Sequence, residues 1–256
     1  MKNDATASVI VNAHREGLIA VPTLRSLARS IEYADSRGYK IDVVLCLDRV
    51  DSLTREIIEG CALSGWQLFD VDFGDLGLSR NFSISKSKGQ YISFLDADDM
   101  FSVNWLERAI NAAENDCRKI VWHPELNIFF GDDHHIYRHV DMESPEFELP
   151  WLVAGNPWTA LCFGSREIFE QCPYPRTDLS LGIGYEDWGW SRAVIEEGYI
   201  HKVVKGTGHA IRRKPWSLVK QSTAAGVLPV ATNLFRAELE ERALYTHSRA
   251  AVSPPR

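Results

Sequence analysis

The sequence predicts an α/β fold built on a mainly parallel central sheet with helices on its faces. Three observations predict it. Apolar, β-branched runs alternate with helix-spaced segments four times in the first 100 residues. The links between them are short. Three of the runs end in acid, at Asp48, at Asp70 and Asp72, and at Asp96. Strand–helix alternation with short links fits parallel strands joined by crossovers. Ligands of such sheets bind beyond the carboxyl ends of the strands, so the acids are expected along one edge.

Each element has its own warrant. Residues 7–13 (ASVIVNA) read as a buried strand. Leu18, Val21, Leu24, Leu27 or Ala28, and Ile31 then recur at helical spacing, with Gly38 as the stop. IDVVLCLD (41–48) is a second strand, and Ser52 caps a helix running to Gly65. WQLFDVD (66–72) is the third strand, a short helix spans 78–88, and YISFLD (91–96) is the fourth strand. Past residue 100 the rhythm loosens. WLERAINAAEN (105–115) reads as a helix, and KIVWHPELNIFF (119–130) as one or two strands broken by Pro124. The polar stretch from Gly131 to Pro150 suggests edge strands, 186–198 a short buried helix, and YIHKVV (199–204) another strand. Residues 206–232 read as loop, Leu234 to Tyr245 as a last helix, and 246–256 as a flexible tail.

The bulk numbers exclude several classes. The chain has 256 residues, 45% hydrophobic and 25% charged, with a net charge of −7. That is ordinary globular composition, and the acidic balance without a basic stripe argues against nucleic acid as a partner. Five cysteines without a CxxC pair argue against a disulfide framework or zinc knuckle. The start lacks an apolar leader, and no segment approaches 18 uninterrupted apolar residues. The expectation is a cytoplasmic enzyme, with peripheral membrane association at the inner face, or membership of a larger synthase, left open.

Three clusters carry chemistry. In YISFLDADDM (91–100) an apolar strand ends in Asp96, Asp98 and Asp99, acids that repel one another unless a cation neutralises them. Clustered oxygen ligands of this kind suit Mg²⁺ or Mn²⁺ bridging to substrate phosphates. In LGIGYEDWGWSRAVIEEG (181–198), Glu186 and Asp187 lie between glycines and tryptophans. They read either as acids complementing a helix N-terminus or as a general base raised toward neutrality by desolvation. In GTGHAIRRKPW (206–216), His209 precedes the basic run Arg212, Arg213 and Lys214. A metal ligand beside cations would stabilise a departing phosphate, and a solvated basic loop is the alternative.

In this order the pieces resemble family 2 glycosyltransferases of the GT-A type, over roughly residues 7–215. The most specific stretch is GLSRNFSISKSKGQYISFLDADD, which is similar to that family's ARN…FLDADD block. SVIVNAHRE, LCLDRVDSLT, GYEDWGWSRAVIEEGY and GTGHAIRR resemble its first strand, its VDDGSTD segment, its ED segment and the metal-binding His segment of some relatives. Asn12, Ala13, His14, Arg49, Val50 and Ser83 depart from its usual residues. The resemblance implies a Rossmann-like sheet, with 1–100 binding a nucleotide sugar and 101–245 forming a mixed acceptor-binding and catalytic half.

It also implies roles. Asp48 would contact the donor's base or ribose, and Arg80 and Asn81 would line the nucleotide pocket. Asp98 would be the principal ligand of Mn²⁺ or Mg²⁺, with His209 as a further ligand and Asp96 nearer the ribose. Asp187 would be the catalytic base, with Glu186 beside it, and Arg212 and Arg213 would assist the leaving diphosphate. Trp158 and Trp188 would stack on the acceptor, a glycan or lipid-linked glycan. The implied reaction is inverting transfer from a nucleotide sugar, UDP-linked by default, in bacterial surface polysaccharide synthesis. Rival readings of the same acids are a haloacid-dehalogenase-type phosphatase, a nucleotidyltransferase and a catalytically silent glycan-binding domain.

Overall fold

The structure, a computed structural model, describes residues 5–215 and 217–235. Among them, four parallel strands come first: β1 (Ala5–Ala13), β2 (Ile41–Asp48), β3 (Gln67–Val71) and β4 (Gly89–Asp96). Helices α1 (Ala20–Asp35), α2 (Ser52–Cys61) and α3 (Leu76–Lys86) connect them. Then follow β5 (Met100–Phe101), α4 (Trp105–Glu114), β6 (Ile120–Gly131), β7 (His135–Arg138) and α5 (Trp151–Ala154). The chain continues through β8 (Phe163–Ser165), α6 (Arg166–Gln171), α7 (Glu186–Glu196), β9 (Ile200–Arg213) and α8 (Leu218–Ala225). All the strands join one sheet in the order β3-β2-β1-β4-β8-β6-β9-β5, with β7 on β6. β8 meets both β4 and β6 antiparallel, so the parallel half turns mixed there.

The apolar runs work because their side chains alternate between two cores. On β1, Val9 and Val11 enter one core with Leu24, Leu45 and Trp105, while Ile10 enters the other with Val44, Phe94 and Phe169. A strand buried on both faces shows a continuous apolar run, as the sequence does. On α1, Leu24 and Leu27 face the core while Arg25, Arg29 and Glu32 are exposed. α2 is capped by Asp51, whose carboxylate accepts the Thr54 N–H at 2.8 Å, one residue before the expected cap. Gly89 opens β4 because a Cβ there would lie 2.3 Å from the Ala7 carbonyl carbon.

The later half departs from the sequence reading in two places. Pro124 does not break β6; it sits at a register shift against β9, where a missing N–H costs no ladder bond. Residues 206–213, expected as loop, complete β9, a strand of 14 residues paired along β6. The helix expected from Leu234 and the tail 246–256 fall largely or wholly outside the described residues. Among those described, no helix is long and apolar enough to cross a membrane, and all five cysteines are free.

Beneath this half lies a column of buried rings. Trp158 stacks on His201 with centroids 3.9 Å apart, and His201 Nδ1 meets His123 Nε2 at 2.8 Å. His139 donates from Nδ1 to the Pro124 carbonyl at 2.7 Å and accepts the Thr159 N–H at Nε2. That pair of bonds fixes a neutral tautomer. Burial pushes the His139 pKa down to about 4, with the Pro124 bond opposing it. In the unfolded chain the ring titrates near 6.5, so protonation favours unfolding. Its stabilisation is complete above about pH 6.5 and is lost as pH falls toward 4. The buried carboxylates described below titrate in the opposite sense, so the imidazole contribution is read as a difference. His139→Gln, which can donate and accept, is expected to be less acid-sensitive by about 2 kcal/mol between pH 7.5 and 5 in urea titrations. Parallel pH profiles for the two proteins would contradict this account.

Candidate active site

The acids do gather at the carboxyl edge, and each meets a partner from this chain. β4 is held to β1 by the Ala97 N–H on the Asn12 carbonyl, and the Asp99 N–H closes a turn on the Asp96 carbonyl, both at 3.0 Å. That turn aims the three carboxylates to different sides. Asp96 Oδ1 lies 3.5 Å from Arg80 Nη2. Asp98 Oδ2 lies 2.7 Å from Lys214 Nζ, just past the end of β9. Asp99 Oδ1 accepts the Arg212 N–H at 2.8 Å. Burial pushes Asp99 well above the usual carboxylate range, with Asp96 and Asp98 adding to the effect. Burial also raises Asp96, against the pull of Arg80.

Arg80 is the hub. It projects from α3 with no exposed surface, its guanidinium 5.6 Å from the centre of the Phe94 ring and 5.1 Å from that of Tyr174. Its Nη1 donates to Glu186 Oε1 at 3.1 Å, at the first turn of α7. One cation therefore ties the end of β4 to the start of α7. The chain enters α7 through Tyr185 at φ 51°, a left-handed conformation unusual for an aromatic residue. Glu186 is buried and turned to Arg80, while Asp187 is only partly covered. Asp187 Oδ2 accepts a long bond, 3.4 Å, from the Asn156 amide. Burial raises the Asp187 pKa, with Arg80 opposing it. Burial and the neighbouring Asp187 raise Glu186 to about 7. Glu186 is thus spent on Arg80, and Asp187 is the less covered of the two acids.

Several expected residues stand elsewhere. The Asp48 carboxylate accepts from the N–H groups of Phe73, Gly74 and Asp75 and from Ser79 Oγ, so it organises the entry to α3 and has no open face for a base or ribose. The Asn81 amide is spent on both backbone groups of Tyr174, each at 2.9 Å, and does not line a pocket. Arg212 reaches Asp99 through its backbone, and the Arg213 guanidinium rests 4.8 Å from the centre of the Phe129 ring. Trp158 is buried, donating its indole N–H to the Val140 carbonyl; Trp188 is buried and donates to Leu152. Neither offers a ring face to a sugar. Of the tryptophans in this half, Trp151 is the exposed one among the described residues, at 43%.

The metal expectation meets the same test. His209 has no exposed surface; its ring packs 4.8 Å from Phe101 and 4.9 Å from Trp105. It belongs to the core below β5, where Phe101 pairs with it. Among the described residues no three His, Cys, Asp or Glu side chains converge as a metal site. Lys214 occupies the oxygen of Asp98 that a cation would take. The side chains present therefore do not fit the expected ion on Asp96, Asp98 and His209. Lys214 itself is lifted above the usual lysine pKa, since Asp98, Glu16 and Asp96 outweigh the opposing effect of burial. The sequence shows Lys214 in the basic run but cannot separate it from Arg212 and Arg213. Asn156 carries no motif signal at all.

With this geometry in hand, the comparisons place the chain. The family model of Glycosyl transferase family 2 matches residues 8–171, and the chain belongs to that family. Its fold is GT-A, as in the crystal structure of S. aureus TarS 1-349 (TM-score 0.60, 15% identity, 81% of this chain and 60% of that one). The same protein in complex with UDP-GlcNAc gives a TM-score of 0.61 at 14% identity, over 84% of this chain and 60% of that one. GalNAc-T7 with UDP, GalNAc and Mn²⁺ gives 0.61 at 20% identity, over 84% of this chain and 45% of that one. This chain thus spans less than two thirds of those structures. A comparison with curated proteins found no match.

Removing the hub leaves the buried Glu186 and the partly exposed Asp96 without their shared cation. Arg80→Met is expected to destabilise the fold by about 3–5 kcal/mol in urea denaturation. Glu186→Gln should recover part of that loss when combined with it. Strictly additive effects of the two substitutions would show that Arg80 does not act through Glu186.

Proposed function

We propose that this chain transfers a glycosyl group from a nucleotide sugar to a hydroxyl acceptor, with inversion at the anomeric carbon. Membership of Glycosyl transferase family 2 supports the reaction class. The observation that carries the mechanism is the Arg80 bridge, which sets the start of α7 against the end of β4. It brings a partly covered carboxylate with a raised pKa, Asp187, beside the acid-tipped edge where ligands of such sheets bind. The likeness to structures holding UDP and UDP-GlcNAc favours a UDP-sugar donor. The residues up to 100 supply most of the donor edge, and the later half supplies the base and the acceptor side.

The steps balance as follows. The acceptor oxygen attacks the anomeric carbon and gives its proton to Asp187. The bond from that carbon to the diphosphate oxygen breaks opposite the incoming oxygen, and its electron pair leaves on the diphosphate. A base with a pKa lifted toward neutrality takes a hydroxyl proton more readily than an ordinary carboxylate. Glu186, paired with Arg80, holds the helix start in place and does not take the proton. The acceptor we infer is a glycan or lipid-linked glycan, with exposed Trp151 as an aromatic face on the short helix whose Leu152 carbonyl accepts from Trp188 of α7. The donor and acceptor must be held in line for these steps to be fast.

The test is a transfer assay with a panel of nucleotide sugars on wild type and Asp187→Asn. The variant is expected to bind nucleoside diphosphate within about twofold of wild type but to lose transfer by about 10³-fold or more. A variant that transfers at near wild-type rate would remove Asp187 as the base. Release of free phosphate or pyrophosphate without glycoside formation would instead support a phosphatase or nucleotidyltransferase.

A further inference from the structure

Lys214 stands where the geometry asks for a cation. Its ammonium lies 2.7 Å from Asp98 Oδ2, and the Asp98 side chain is only 8% exposed while that of Lys214 is 34% exposed. The charge therefore sits at the mouth of the site, with the carboxylate behind it and solvent in front. The charges of Glu16, from the loop after β1, and of Asp96 add to the pull of Asp98 on the ammonium. The backbone of Lys214 is itself anchored: its carbonyl accepts from Lys220 Nζ at 2.7 Å, on the first turn of α8. On the other side, Arg212 is fixed to Asp99 through its N–H at 2.8 Å. The segment that presents Lys214 is held at both ends.

We propose that Lys214 acts as the resident cation of this site, bridging Asp98 to the diphosphate of the donor in place of a divalent ion. The inference rests on the glycosyltransferase reading above and deepens it. An ammonium has three N–H donors and no acceptor. The ammonium is ion-paired with Asp98 Oδ2 at 2.7 Å, and its partly exposed face leaves N–H donors for the diphosphate oxygens. As the glycosidic bond to the diphosphate breaks, the extra negative charge on the departing oxygen is met by those donors. No proton is transferred by Lys214 in this step; it stays an ammonium and Asp98 stays a carboxylate. Asp98 is then a positioning residue that holds the ammonium at the mouth. The displaced role of His209 follows: packed between Phe101 and Trp105, it has no ion to complete.

The experiment is calorimetric titration of the full chain with UDP, GDP and dTDP, in EDTA and then with Mn²⁺. Wild type is expected to bind one of them in EDTA, with Mn²⁺ changing the affinity by less than about threefold. Lys214→Met should weaken that binding in EDTA by about tenfold or more, while Lys214→Arg keeps it within about threefold. Circular dichroism of both variants establishes that they are folded. Binding by wild type only when Mn²⁺ is present would overturn the proposal and leave the transferase reading standing. So would unchanged binding by Lys214→Met in EDTA. If wild type binds none of the three nucleotides under either condition, the transferase reading falls with it.

Discussion

Everything at the catalytic edge depends on one buried guanidinium. Arg80 has no exposed surface, yet two carboxylates 90 residues apart in the sequence converge on it, Asp96 and Glu186. A cation removed from water needs close counter-charges, and the carboxylates need it equally. Unit charges about 4 Å apart attract by about 4 kcal/mol at an effective dielectric of 20, enough to decide how two elements dock. The aromatic rings of Phe94 and Tyr174 add a favourable electrostatic face without adding another charge. The hub fixes the distance between the end of β4 and the start of α7, the quantity on which the proposed transfer depends.

The same logic extends outward along the acid turn. Asp96, Asp98 and Asp99 would repel if left alone, and each is met differently: by a buried arginine, by a half-exposed lysine and by a backbone N–H. The partners differ in mobility. Arg80 is locked by packing, whereas an ammonium on a flexible stem at the mouth can share its donors with a ligand. Fixed charge lies deep and adjustable charge lies outside, the order the proposed diphosphate site requires.

The later half contributes rigidity more than contacts. Its tryptophans and histidines form a packed column, with Trp158 on His201 and the neutral His139 bonded at both nitrogens. β9 runs beside β6 for almost its whole length and ends at the basic residues of the site. A long strand pair resting on stacked rings is a stiff support, so Arg212 and Lys214 are delivered to the acid turn at a set height. Asp48 plays a similar supporting role at the other side, where four donors from the loop before α3 and its first turn close on one carboxylate.

Local and periodic features are legible in the residues alone. The four strands up to Asp96, the helices between them and the acid turn are written in residues close together, and continuous apolar runs report burial on both faces. The ED pair and the DxD turn were legible too, because turn chemistry and strand ends are short-range features. The tertiary structure decided the rest, since pairing across long separations leaves no periodic trace. β9 passes an unpaired Gly206 at φ 72° and continues through Gly208, a weak strand former on its own, because β6 lies alongside on both sides of that irregularity. His209 became core because Phe101 and Trp105, about a hundred residues earlier, close over it. Trp158 likewise lost its ring face to His201. A side chain's type says which bonds it can make, and only the folded neighbours settle which of them remain open to a ligand.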